Sequence, residues 1–226
     1  MRYRAVGFDV DGTLVQNVGY CWQTFHERFG VSDKVRGILR RRYQEGRITY
    51  REWGSREIAI WRALGVTRKD FTKVINSMRL TDGVAEALAV LRRTGHYLFI
   101  LSGTIRIILE QLLPNYDELF DLVAVSDIHF DEEGRPVSFD PGHPLRNERE
   151  DKLLELQSLC RELQMDLSQT AFVGDNDNDV EVLRAAGLGI AFCPQSASAR
   201  AAADVVVDSA DLRSVLPHIL GARGKV

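Results

Sequence analysis

Two carboxylates, Asp9 and Asp11, stand two positions apart in FDVDGTLV at 8–15, directly behind the apolar residues Ala5, Val6 and Phe8. Burying an unpaired carboxylate is costly. A pair placed at the end of an expected strand therefore asks for a cation, and for something the cation can hold. Two other apolar runs end in polar groups as well. Tyr97–Leu101 finishes at Ser102-Gly103-Thr104, and Thr170–Val173 at Gly174-Asp175-Asn176-Asp177-Asn178-Asp179. Ligands of an open parallel sheet bind outside the carboxyl ends of its strands. If these three strands are neighbours, one rim collects several carboxylates, a hydroxyl and a glycine that lets a ligand approach the backbone.

Carboxylates gathered on an apolar rim repel one another and are driven toward their protonated forms unless a cation sits among them. An oxygen-only donor set with no His or Cys favours a hard cation, and Mg2+ commonly takes one or two carboxylates together with phosphate and water. A phosphate also gives Ser102 a role, since hydroxyls and free amides at a strand-to-helix turn donate to anions. Lys152, expected at the head of a helix, adds positive charge to the same rim. A calcium loop starting at Asp175 is excluded. Its sixth and twelfth positions, where the EF-hand needs Gly and Glu, hold Val180 and Ala186.

The elements that must position these groups are visible in the hydrophobic rhythm. Residues 3–9 read as a short buried strand. From 15 to 80 the pattern is helical: Trp22, Phe25 and Phe29, then Val35, Ile38, Leu39 and Tyr43, then Ile60, Trp61 and Leu64, with Gly30, Gly46 and Gly65 between them. The spacing predicts about four helices with the aromatic residues as their core. Beyond residue 80, expected helices at 84–91, 105–113, 152–163 and 180–186 alternate with strands at 97–101, 122–125, 170–173, 188–192 and 205–207, and 130–137 reads as a hairpin. This alternation predicts an α/β fold, a largely parallel sheet with helices on both faces.

Composition sets the bounds. The 226 residues are 45% hydrophobic and 27% charged, ordinary for a globular chain, and the length fits one large domain or a domain with a substantial insertion. Cys21, Cys160 and Cys193 are odd in number and lack CxxC spacing, which argues against a disulfide framework or a zinc site. MRYRAVGFDVDG meets charge too early for an apolar leader, and no apolar run approaches the ~20 residues of a membrane span, so a cytoplasmic protein is expected. The net charge of −3 conceals an asymmetry, because residues 15–80 hold 14 Lys and Arg against 6 Asp and Glu. That excess suits an anionic small substrate or a solvated helical face. The arginines are spread among helix-patterned positions, which makes nucleic-acid binding the minor reading.

DVDGTLV at 9–15, LSGT at 101–104, Lys152 and VGDNDND at 173–179 together resemble the four motifs of the haloacid-dehalogenase superfamily. AAGLGIAFCPQSASARAAADVVV at 185–207 is similar to its phosphoserine-phosphatase branch, and the similarity spans nearly the whole chain. The resemblance implies a Rossmann-like catalytic core at 1–14 and 81–226 with an inserted all-helical cap at 15–80. It implies that Asp9 is a nucleophile forming an aspartyl-phosphate. Asp11 would protonate the leaving alkoxide and then activate water. Mg2+ would be held by Asp9, the main-chain carbonyl of Asp11, and Asp175. Ser102, the Gly103 amide, Lys152 and Asn178 would hold the phosphoryl oxygens, with Asp179 orienting Lys152.

The implied activity is hydrolysis of a small anionic phosphomonoester. Phosphotransferase or phosphomutase chemistry differs only in what accepts the phosphoryl group from Asp9. Dehalogenation is disfavoured by the carboxylate at Asp11. A phospho-accepting signalling module of the receiver kind combines similar residues, but it neither opens on DxDGT nor carries an inserted helical segment. In the cap, the position where the phosphoserine-phosphatase branch carries a glutamate toward the substrate's ammonium group is Val18. The arginine that clamps the substrate carboxylate in that branch falls at Ser55, beside Arg56. Arg47, Arg51 and Arg56 are the cap's candidates for meeting an anionic substrate. A sugar, polyol or hydroxy-acid phosphate is therefore expected to suit the chain better than phosphoserine.

Overall fold

The computed structural model describes residues 2–142 and 148–221. The chain opens on β1 (Ala5–Phe8), whose four residues are all buried, as befits a strand covered on both faces. After a turn come the short β2 (Val15–Gln16) and the helices α1 (Cys21–Arg28), α2 (Asp33–Gln44), α3 (Tyr50–Ala63) and α4 (Arg68–Ile75). The chain returns through β3 (Arg79–Leu80) and continues with α5 (Val84–Arg93), β4 (Tyr97–Ile105), α6 (Arg106–Leu112), α7 (Tyr116–Leu119), β5 (Leu122–Phe130) and β6 (Pro136–Asp140). It ends with α8 (Glu148–Glu162), β7 (Thr170–Gly174), α9 (Val180–Ala185), β8 (Leu188–Phe192), α10 (Ala197–Ala202), β9 (Val205–Val207) and α11 (Leu216–Leu220).

Seven strands form one sheet in the order β6-β5-β4-β1-β7-β8-β9. Every pairing is parallel except the hairpin of β5 with β6. The architecture is thus the α/β, mostly parallel sheet that the alternating pattern predicts. β1 lies between β4 and β7, with Phe8 in register with both Ile100 and Val173. The three strand ends rich in polar groups are therefore neighbours. The period of two sorts the side chains of β1. Val6 and Phe8 join the larger apolar cluster, while Ala5 joins a second one with Phe99, Leu156 and Phe172.

Two strands run further than expected, and the one expected at 122–125 continues to Phe130 as β5. Tyr97–Leu101 does not stop at Ser102 but continues as β4 to Ile105, with its register against β5 shifting between Leu101 and Ile105. Ser102-Gly103-Thr104 interrupt the ladder, which pairs Leu101 with Ala124 and resumes at Ile105 with Ser126, and such an irregularity is of the kind that re-aims side chains beside a site.

The larger cluster runs from the sheet into the α1–α4 segment without a break. Trp22, Phe25, Trp61 and Phe71 are buried in it, and Trp22 stacks on Trp61 with ring centroids 5.3 Å apart. Helix α2 contributes least: none of its residues is fully buried, and Val35 and Ile38 face solvent. The two chain crossings at the ends of this segment are tied together. Val15 pairs with Leu80 and Gln16 with Arg79, and the Thr81 hydroxyl donates to the Thr13 carbonyl at 2.6 Å. No described helix is long and apolar enough to cross a membrane.

Candidate active site

Asp9 follows the last residue of β1, and its amide donates to the Val173 carbonyl of β7 at 2.9 Å. Its carboxylate meets Lys152 of α8, whose Nζ donates to Asp9 Oδ1 and to Asp179 Oδ1 at 2.6 Å each. Lys152 is only 4% exposed. It sits one turn into a helix that begins at Glu148, not at the helix head as its sequence suggests. The two anions hold its ammonium group charged, outweighing burial and pushing its pKa further up. Asp179 is fully engaged, because its Oδ2 accepts from the amides of Asp175 and Asn176 at 2.9 and 3.1 Å. It orients Lys152 and the loop after β7 at once.

Asp175 is different. It is completely buried, and neither carboxylate oxygen has a hydrogen-bond partner among the described residues. Gly12, at φ +83°, passes so close that a Cβ there would lie 2.2 Å from Asp175 Oδ2. The turn after β1 therefore needs glycine for both its conformation and its clearance. Asp9, Asp175 and Asp179 each present a carboxylate oxygen within 4.8 Å of one another. Burial pushes the Asp175 carboxyl up to about 9, with the Asp9 charge the next cause. Burial likewise raises Asp9 to about 7 against the pull of Lys152. Lys152 alone does not neutralise this cluster, and two orphaned oxygens on a buried acid fit a hard cation with oxygen ligands.

Asp11 points elsewhere. Its Oδ1 accepts from the Thr104 hydroxyl and its Oδ2 from the Cys21 amide, both at 2.7 Å. Burial is the main cause raising its carboxyl. Ser102 is buried on β4, its Oγ accepting from the Thr104 amide at 3.2 Å. The Gly103 carbonyl accepts from Trp22 Nε1 at 3.1 Å, which joins α1 to the rim. Asn178 is half-buried in the short turn Asp177–Asp179.

The structure does not gather the arginines of the α1–α4 segment with these groups. Arg47, Arg51 and Arg56 are exposed, Arg47 pairing with Glu45 at 2.9 Å and Arg51 reaching Asp140 at 3.3 Å. Helix α3 turns Tyr50, Trp53, Gly54, Glu57, Ile58 and Trp61 inward and leaves Arg51 and Arg56 exposed, while Arg47 precedes the helix. Val18 is buried in the larger apolar cluster. The grips of Thr104 and Cys21 on Asp11 carried no sequence signal beyond Thr104 following Ser102-Gly103.

A family model described as haloacid dehalogenase-like hydrolase matches residues 6–184. The chain belongs to this family. Phosphoserine phosphatase SerB2 of Mycobacterium tuberculosis is 30% identical over 226 residues, a match covering 99% of this chain and 52% of that protein, so the chain spans about half of its length. Phosphoserine phosphatase of Methanocaldococcus jannaschii is 25% identical, with 96% and 98% covered. Among solved structures, a phospho-aspartyl intermediate analogue of phosphoserine phosphatase superposes with a TM-score of 0.72 at 22% identity, covering 97% of this chain and all of that one. A substrate-bound phosphoserine phosphatase complex gives the same score at 21% identity, covering 97% and 99%. These superpositions bear on the fold. The family membership and the curated relatives make the chain a phosphoserine-phosphatase-like phosphomonoester hydrolase.

Proposed function

We propose that the chain is a Mg2+-dependent phosphatase of a small phosphomonoester, working through an aspartyl-phosphate on Asp9. The observation that carries this reading is the buried cluster at the end of β1. Lys152 bridges Asp9 and Asp179 at 2.6 Å, beside an Asp175 whose two oxygens have no hydrogen-bond partner among the described residues. Asp9 Oδ attacks phosphorus as the P–O bond to the alcohol breaks, and Asp11 gives the departing alkoxide its proton. Asp11 then takes a proton from water, whose oxygen displaces Asp9 and releases inorganic phosphate. Ser102, the Gly103 amide, Lys152 and Asn178 hold the phosphoryl oxygens. Asp9, the main-chain carbonyl of Asp11, and Asp175 hold Mg2+, which when bound offsets charge on the phosphoryl group. Residues 15–80 act as a cap, hinged at the β2–β3 pair, that excludes water over the site.

Removing the cation tests the donor set without measuring activity. Both Asp9 and Asp175 have folded pKa values raised above their unfolded ones. Their contribution to stability is thus present below the unfolded pKa and lost as pH rises through about 7 and about 9. A bound cation reverses that loss, and at acid pH it must first displace protons. The gain in melting temperature on adding Mg2+ to chelated protein is expected to grow from about pH 5 to about pH 9, reaching ~5–10 °C near 100-fold saturation. A gain that is absent, or that shrinks as pH rises, contradicts the assignment.

Substrate choice follows from Val18. This residue is buried among apolar neighbours, and the buried acid of the cap, Glu57, already faces His26 at 3.2 Å. An ammonium group placed at Val18 would face an apolar side chain where the phosphoserine-phosphatase branch carries a glutamate. Losing such a charged hydrogen bond costs about 1.5–3 kcal/mol, on the order of 10–100-fold in affinity. A panel of phosphomonoesters should therefore rank a sugar, polyol or hydroxy-acid phosphate above phosphoserine by kcat/KM. Phosphoserine at the head of the panel favours the second reading, a phosphoserine phosphatase proper, which the curated relatives support.

A further inference from the structure

Thr104 has no part in the chemistry above, yet it is buried and its hydroxyl donates to Asp11 Oδ1 at 2.7 Å. The other oxygen, Oδ2, accepts from the amide of Cys21, the first residue of α1, also at 2.7 Å. The carboxyl is gripped once from the sheet and once from the helical segment. We propose that Thr104 is a positioning residue for Asp11, fixing together with the Cys21 amide the direction in which Asp11 passes its proton. This rests on the reading of Asp11 as the general acid.

The geometry suits the task. Each carboxylate oxygen has two acceptor sites, so the two grips leave one site on each oxygen free for proton exchange while opposing rotation of the side chain. Thr104 and Ser102 both lie in the irregular stretch of β4 between Leu101 and Ile105. The Thr104 amide also donates to Ser102 Oγ at 3.2 Å. The residue that sets the acid is thus tied to one assigned to the phosphate. Between them, the Gly103 carbonyl accepts from Trp22 Nε1 at 3.1 Å, so α1 is pinned to β4 within one residue of each grip. General acids act through placement before strength, and a misplacement of about 1 Å can cost on the order of 10²-fold.

Leaving-group dependence separates positioning from mere support. Nitrophenolate departs without needing a proton, whereas the alkoxide of glycerol phosphate needs one. Single-turnover rates of P–O cleavage are measured for 4-nitrophenyl phosphate and glycerol phosphate with Mg2+ present. Thr104→Val is expected to slow glycerol phosphate by about 10-fold or more, the scale of one lost charged hydrogen bond, and to slow the nitrophenyl ester far less. Thr104→Ser, which keeps the hydroxyl, should restore the ratio between the two substrates. Far-ultraviolet circular dichroism confirms that each variant is folded. If Thr104→Val slows both substrates equally or neither, while Asp11→Asn slows glycerol phosphate selectively, the positioning role is overturned and the acid stands. If Asp11→Asn shows no selectivity either, the reading of Asp11 falls and the positioning role with it.

Discussion

Asp9→Asn is expected to abolish turnover while leaving the fold intact. The amide is nearly the same size as the carboxylate, and Lys152 keeps its 2.6 Å contact with Asp179. The variant also removes one member of a buried like-charge cluster whose carboxyl is already pushed up to about 7. The melting temperature of the chelated protein at neutral pH should therefore hold or rise. Activity should not survive, because the Asn amide cannot take the phosphoryl group as an acyl phosphate. Removing a nucleophile outright commonly costs on the order of 10⁶ in kcat. Steady-state kinetics with saturating Mg2+ decide the matter. A rate within about 10-fold of the parent, far short of that loss, rules out Asp9 as the nucleophile.

The second large effect is on stability. Lys152→Met leaves two carboxylates, Asp9 and Asp179, buried where one ammonium group held both at 2.6 Å. Breaking a buried pair by removing one partner typically costs about 3–5 kcal/mol, or roughly 10 °C in melting temperature for a chain of this size. The sign of its pH dependence follows from what remains. Protonating Asp9, whose carboxyl burial already pushes up to about 7, relieves the repulsion, so the deficit should be largest above neutral pH and should shrink toward pH 4 or so. Thermal melts of both proteins across that range test it. A deficit of less than about 1 kcal/mol at neutral pH shows that the bridge contributes little.

The convergence of the site was legible because three apolar runs ended in polar groups and α/β alternation made them parallel neighbours. Phe8 in register with Ile100 and Val173 is the physical form of that inference. The end of β4 was not legible. Ser-Gly-Thr has the composition of a turn, and only the resumption of pairing at Ile105 with Ser126, a tertiary effect beyond the break in the ladder, carries β4 past it. The onset of α8 was missed because Glu148–Asp151 is entirely polar and shows no apolar period, so the helix became visible only at Lys152 and beyond.

Helical spacing also predicted α2 but not its partners, and Val35 and Ile38 turn out to face solvent. The cap arginines show the same limit. Charge excess locates them in the segment, whereas the exposure of Arg51 and Arg56 on α3 is set by the inward row Trp53, Glu57 and Trp61. The grip on Asp11 joins Thr104 to a residue 93 positions away in the chain. No local pattern carries such a contact.

The central claim is a phosphoryl group carried transiently on Asp9. Mixing the protein with Mg2+ and a reactive phosphomonoester, quenching in acid within the first turnover, and mapping the phosphorylated peptide by mass spectrometry tests it most directly. The account predicts one acid-stable acyl phosphate, on Asp9, that disappears after neutralisation with hydroxylamine and is missing from Asp9→Asn. Active protein that releases phosphate while carrying no label, or carrying it on any other residue, would contradict it.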